Sequence, residues 1–147
     1  MAGFKSIRER QTFSLGPLTI LAGANSSGKS SAMQPLLLVK QTLEAQYDPG
    51  PLLINGANAK FSSVMEMFWK ELNTGPASTF DFGMHDRATG NGTELQFTRG
   101  LNGFGLDLKS MTVMSNGKSQ VLSPSSTEEE PVSYTHLRAH ETKANLV

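Results

Sequence analysis

The chain has no cysteine among its 147 residues, which excludes thiol catalysis, disulfide frameworks and Cys-rich zinc sites. It has no net charge either: 13 basic residues balance 13 acidic ones, so no overall field draws it onto nucleic acid or anionic lipid. The nearest thing to a basic patch, Lys5, Arg8 and Arg10, reads as the solvated side of a strand. Long apolar runs are also missing. The longest apolar stretch, Pro35–Val39, is far short of the roughly 20 residues that span a bilayer, and the N-terminus lacks a charged-then-apolar signal pattern. These absences predict a soluble, cytoplasmic protein with no membrane partner.

What remains is enough for one domain. About 45% of the residues are apolar once Gly is counted in place of Tyr, at the lower edge of the globular range. A domain of this length buries roughly two thirds of its unfolded surface and needs no covalent or metal staple.

Along the chain, Phe4, Ile7, Phe13 and Leu15 are candidate inward positions of one or two short strands, and Gly16-Pro17 marks a turn. Leu18-Thr19-Ile20-Leu21 is a branched apolar run of the kind buried on both faces of a parallel sheet. A helix is predicted from Lys29 to about Tyr47. It is apolar on every face over Leu36–Val39 and bent at Pro35, whose ring nitrogen cannot donate to the Ser31 carbonyl. Asp48-Pro49-Gly50-Pro51 ends it. Leu52-Leu53-Ile54 reads as a short strand. Phe61–Leu72 reads as a short helix with Val64, Met65, Phe68 and Leu72 on one face and Trp69 in the core.

The period then changes from helical to alternating. Phe80, Phe82 and Met84, then Leu95 and Phe97, then Phe104, Leu106 and Leu108 alternate with polar or small residues. Asn91-Gly92 and Asn102-Gly103 separate these strands, and Asn116-Gly117 separates Met111–Met114 from Gln120–Leu122. Asn-Gly tolerates positive φ at both turn positions, so an antiparallel meander is expected.

The segment that carries chemistry is Gly23-Ala24-Asn25-Ser26-Ser27-Gly28-Lys29-Ser30, a complete G-x-x-x-x-G-K-[ST] between a predicted strand and a predicted helix. A triphosphate leaving water needs many donors close together and little side-chain bulk. Gly23 and Gly28 let the loop curl with its amides inward, and the helix that follows adds its unpaired amides and its dipole. Lys29 is placed to reach the β- and γ-phosphates and is the catalytic candidate. The Ser30 hydroxyl is a Mg²⁺ ligand candidate, and Ser31 is an extra donor to the α-phosphate. ATP and Mg²⁺ are the expected cofactors, bound by Gly23, Ala24, Asn25, Ser26, Ser27, Gly28, Lys29, Ser30 and Ser31.

Phe4-Lys5-Ser6-Ile7 followed by Pro17–Ser31 resembles the N-terminal lobe of ABC-type AAA-family ATPases of the SMC, RecF and OLD kind. Gln34–Glu44 and Leu52–Gly56 are similar to a bacterial branch with uncharacterised or defence-related members. The likeness covers roughly Ala2–Trp69. It implies an α/β fold, a P-loop NTPase (ABC-ATPase-like) half-domain with an antiparallel β meander. It also implies two heads that sandwich ATP as a homodimer, and hydrolysis in the complete protein. Nucleic acid is a possible partner of the part further along the chain.

The Walker B carboxylate of that family follows an apolar strand. Here Asp81 follows Ser-Thr-Phe and Asp107 follows Phe-Gly-Leu, and no Ser-Gly-Gly signature occurs. The expectation is an N-terminal piece that binds nucleotide without turning it over. The predicted layout is an ATP-binding lobe over 1–122, an acidic linker over 123–131, and a tail over 132–147. Within that tail, Val132–Thr142 resembles translated sequencing-adapter read-through.

Other candidates are weaker. His136 and His140 share a helical spacing, but no Glu follows His136 and no third ligand is evident. His85, Glu94 and Asp107 read as strand-face residues, and Gln41, Gln46, Gln96 and Gln120 carry no assignable role. Ser26 and Ser27 lack a His-Asp pair. Two alternatives stand beside ATP binding: another P-loop enzyme (a GTPase or small-molecule kinase), for which no Asn-Lys-x-Asp motif occurs, and an inert fragment.

Overall fold

The computed structural model describes residues 1–71, 75–100 and 105–124. In chain order it contains helix α1 (Lys29–Leu43), a 3₁₀ turn (Val64–Glu66), and strands β1 (Lys70–Glu71), β2 (Gly75–Pro76), β3 (Thr79–His85), β4 (Gly92–Arg99), β5 (Leu106–Ser115) and β6 (Lys118–Leu122). Strands β3 to β6 form one antiparallel sheet in sequential order, and β1 pairs with β2 as a separate short ribbon.

This architecture corrects the α/β expectation: the molecule is chiefly a small antiparallel sheet with one helix, and no parallel pair occurs among the described residues. The run Leu18–Leu21, expected to be a strand buried on both faces of a parallel sheet, is not a strand. Leu18 is 83% and Ile20 79% exposed, and Phe13 and Leu15, expected inward, are exposed as well. A branched apolar run becomes a strand only beside a partner, because its backbone groups need a ladder and its side chains need a facing layer. The Leu52–Ile54 run does not form a strand either. Its backbone is taken up by side chains of α1: Thr42 Oγ1 accepts from Leu53 N at 2.9 Å, and Gln41 Nε2 donates to Leu53 O at 2.6 Å.

The meander follows its alternation except at Met84, expected inward, which is exposed near the end of β3 where the facing layer runs out of buried residues. Phe80, Phe82, Phe97 and Leu106 are buried, and Phe80 pairs in register with Phe97 and Phe82 with Leu95. The predicted strand that holds Leu106 and Leu108 and the predicted strand Met111–Met114 are one strand, β5. Gln96 faces Ser110 while Phe97 faces Leu108, so Lys109 is the extra residue of a bulge. That bulge explains why the inward residues pass from even numbers (Leu106, Leu108) to odd (Met111), which pairs with inward Leu95. Asn116-Gly117 makes a two-residue turn with φ of 52° and 73°, as its type I′ chemistry requires. Asn91-Gly92 is not a two-residue turn. The loop spans Asp86–Asn91, and Gly92 already belongs to β4. The turn expected at Asn102-Gly103, the inward residues Phe104 and Leu72, most of the linker and the 132–147 tail with His136 and His140 lie outside the described residues.

The described part of the predicted Phe61–Leu72 helix, residues 61–71, is not an α-helix. Ser63 Oγ accepts from Met65 N at 3.2 Å to cap a single 3₁₀ turn, after which the backbone is claimed by the N-terminal segment. Lys5 N donates to Met67 O at 2.9 Å and Trp69 N donates to Gly3 O at 2.7 Å. Trp69 is half-buried, with the Arg8 guanidinium 4.8 Å from its ring centroid, rather than in the core. Gly3, at φ 69°, admits no side chain, because a Cβ there would stand 2.5 Å from Thr79 O.

The core joins the two halves through aromatic rings. Phe4 meets Phe61 (6.3 Å between centroids) and Phe80 (5.4 Å) edge-on, and Phe80 also meets Phe68 (5.2 Å) and stacks on Phe97 (5.0 Å). Below α1 the 53–59 loop closes on Gln41, which is buried. Its Nε2 donates to Leu53 O and to Ala59 O (3.1 Å), and its Oε1 accepts from Asn58 N (3.1 Å) and Ala59 N (2.9 Å). Arg10 bridges Asp81 (3.0 Å) and Glu94 (2.9 Å) on the outer face of the sheet.

Replacing Gln41 by Ala strands several main-chain groups, each costing about 1–3 kcal/mol if buried and unpaired, so urea denaturation should show a loss of about 2–4 kcal/mol. Replacing exposed Gln46 should change little. Gly56→Ala should be costly only while Gln41 is present, since the new Cβ would stand 2.6–2.9 Å from the Gln41 amide. In the Asp86–Asn91 loop, the hydroxyl of Thr89 and then the amide of Ala88, both at 2.8 Å, hold the Asp86 carboxyl below its ordinary 3.8. Its stabilisation is therefore present above that ordinary value and is lost as pH falls through the lowered one. Thr89→Val should move the Asp86 carboxyl titration, followed by carbon NMR, back upward.

Candidate functional site

The Gly23–Ser30 loop curls back on itself ahead of α1. Gly23 (φ 154°), Ser26 (63°) and Gly28 (88°) all have positive φ, and Ser27 N donates to Ala24 O at 3.3 Å across the turn. The tightness explains the glycines. A Cβ on Gly23 would stand 2.9 Å from Ser27 Oγ, and one on Gly28 would stand 3.0 Å from Ser6 Oγ.

Lys29 closes the ring from inside. Its Nζ donates to Gly23 O (2.8 Å) and Ala24 O (2.6 Å), so the ammonium sits against the carbonyls at the base of the loop rather than extending into solvent. Helix α1 then begins at Lys29 behind Gly28, with no side-chain cap and no acidic residue in its first turn. The amides at that end are left for an outside acceptor, and nothing in the first turn opposes the positive end of the helix dipole.

Beside the loop is an open hollow of about 730 Å³. Asn25, Ser26, Ser27, Gly28, Lys29, Ser30 and Ser31, all expected from the motif, line it together. Gly23 and Ala24 do not, and serve instead as carbonyl partners of Lys29. Ser30 is exposed, so its hydroxyl is accessible to a cation. Ser31 is buried, and its Oγ accepts from Ser6 Oγ at 3.1 Å, which ties the N-terminal turn to the first turn of the helix. A second hollow of about 690 Å³ lies on the other side of the loop, between the N-terminal turn, Phe13 and Leu21.

The larger hollow also contains groups that the motif does not name. Lys5, Glu66 and Lys70 line it, with Phe68 in its wall. Lys5 sits at φ 48° in the turn closed by Phe4 N to Ile7 O and Ile7 N to Phe4 O, and its ammonium lies 5.1 Å from the Phe61 ring centroid. Lys5 had a signal in the Phe4–Ile7 string. Glu66 and Lys70 had none, because only the tertiary bonds between the N-terminal turn and residues 67–69 bring them to the loop.

The residues present suit a magnesium nucleotide on chemical grounds: an uncapped helix start, a loop whose two glycines hold positive φ in close quarters with Ser27 and Ser6, a hydroxyl at the rim, and three ammonium groups against one carboxylate. No helix among the described residues is long and apolar enough to cross a membrane. Comparison with known family models, with curated proteins and with solved structures finds no match to this chain.

Proposed function

We propose that the chain binds Mg-ATP through the Gly23–Ser30 loop, as a nucleotide-binding piece of an ATPase whose hydrolysis needs further elements and a second head. The observation that carries this reading is the curled loop itself: three positive-φ residues, an uncapped helix start, and Lys29 turned into the ring rather than away from it. Phosphate oxygens compete well with carbonyls for an ammonium, because they bring full negative charge. Lys29 can therefore exchange one neutral acceptor for a charged one by a small movement of its side chain. Loop and helix amides would hold the phosphates, and the Ser30 hydroxyl would hold Mg²⁺, whose chemistry is to neutralise charge between neighbouring phosphates.

Binding is the activity proposed for the chain as it stands. The sequence has no apolar run ending in an acidic pair, so a carboxylate to hold the metal shell and orient water is not identified.

Calorimetric titration tests this. Lys29→Ala should weaken Mg-ATP binding by about 10- to 150-fold, the equivalent of a lost charge-assisted bond of about 1.5–3 kcal/mol. Mg-ATP should raise the melting temperature of the wild-type chain and not that of the variant, because a ligand that binds only the folded form stabilises it. Competition between ATP and GTP distinguishes an adenine site from a guanine site. Equal ATP affinity in wild type and Lys29→Ala would overturn the proposal.

A further inference from the structure

We infer that Lys70 is a further nucleotide-binding residue, which takes the terminal phosphate of a nucleoside triphosphate and so discriminates ATP from ADP; this rests on the P-loop reading above. Lys70 lies outside the motif and 41 positions beyond Lys29 in the chain, yet lines the same hollow as Lys29 and Ser30.

Its backbone is held firmly. Phe68, two residues earlier, is fully buried and bridges Phe4; Trp69 N donates to Gly3 O and Trp69 O accepts from Ala77 N, both at 2.7 Å. Residues two apart on an extended chain share a face. Phe68 therefore forms the wall of the hollow and Lys70 its rim, and the start of β1, where Lys70 pairs with Pro76, fixes the rim in place.

The three lysines of the hollow are not equivalent. Lys29 is engaged with the Gly23 and Ala24 carbonyls, and Lys5 lies over the Phe61 ring. Among the described residues Lys70 has neither kind of partner. No carboxylate among the described residues is within ion-pair distance of it, although Glu66 lines the same hollow. An exposed ammonium left unneutralised opposite a phosphate-binding loop is suited to a phosphate oxygen beyond those the loop amides cover. The group that extends furthest from such a loop is the last phosphate of the tail, which a diphosphate lacks.

The test is titration of the 147-residue chain with Mg-ATP and, separately, Mg-ADP. Lys70→Ala should weaken Mg-ATP binding by about three- to fivefold, the upper part of the range for an exposed charge pair, and leave Mg-ADP binding within about 1.5-fold. Lys70→Arg should restore most of the ATP affinity. Lys40→Ala removes a lysine whose partner is Glu44 on the exposed side of α1, and should alter neither affinity. Melting of the ligand-free Lys70→Ala chain should match wild type, which separates lost binding from lost folding. Equal loss for both nucleotides, or loss for neither, overturns the role of Lys70 while leaving the loop assignment intact. Failure of the wild-type chain to bind either nucleotide, or an Lys29→Ala chain that binds like wild type, overturns the loop reading and the Lys70 role with it.

Discussion

The insertion of Phe4 between Phe61 and Phe80 is the contact on which the rest of the molecule depends. Phe80 faces the N-terminal turn through Phe4, the 61–71 segment through Phe68 and the neighbouring strand through Phe97. Burial of large rings at these distances is non-directional in origin but directional in effect, since edge-on and offset contacts fix the angle at which elements meet. One consequence is functional. With Phe4 anchored, Lys5 and Ser6 are carried to the Gly23–Ser30 loop, and the backbone of residues 67–69 is drawn alongside, bringing Glu66 and Lys70 to the same hollow.

A second, polar centre keeps α1 attached to the chain that follows it. Gln41 satisfies both ends of its amide with main-chain groups of the 53–59 loop, which is why a glutamine is accepted in an otherwise apolar contact and why Gly56 must lie flat against it. Arg10 with Asp81 and Glu94 also forms several short ion contacts, but at the surface, where solvent and side-chain entropy leave such pairs about 0–1 kcal/mol. The buried neutral amide therefore contributes more to the fold than the visible charge network.

What could be read from residue order was what depends on near neighbours. Helix α1 begins within the motif as expected, Phe80, Phe82 and Phe97 are buried as their alternation predicts while Met84 near the end of β3 is exposed, and Asn116-Gly117 supplies its own turn. The alternation of β5 was legible too, but split in two, because a bulge at Lys109 reverses parity without any residue type that marks it. The errors fall where partners decide. Leu18–Leu21 has strand composition and no ladder to join. Phe61–Leu72 has helical spacing, but its main-chain groups bond instead to Gly3 and Lys5, some sixty residues earlier. The candidate site divides in the same way: the loop and its lysine were readable because the motif is contiguous, whereas Glu66 and Lys70 required the tertiary bonds that place them.

The tether of Lys29 to the Gly23 and Ala24 carbonyls bears on kinetics as well as affinity. Carbonyl dipoles orient an ammonium without cancelling its charge, so the mouth of the hollow keeps an attractive potential for anions before any arrive. Under the nucleotide binding proposed above, encounter with the polyphosphate is steered, and its association rate declines as ionic strength rises and the screening length contracts to about 8 Å near physiological salt. An aspartate or glutamate in the same place would have held the lysine equally well and abolished that attraction.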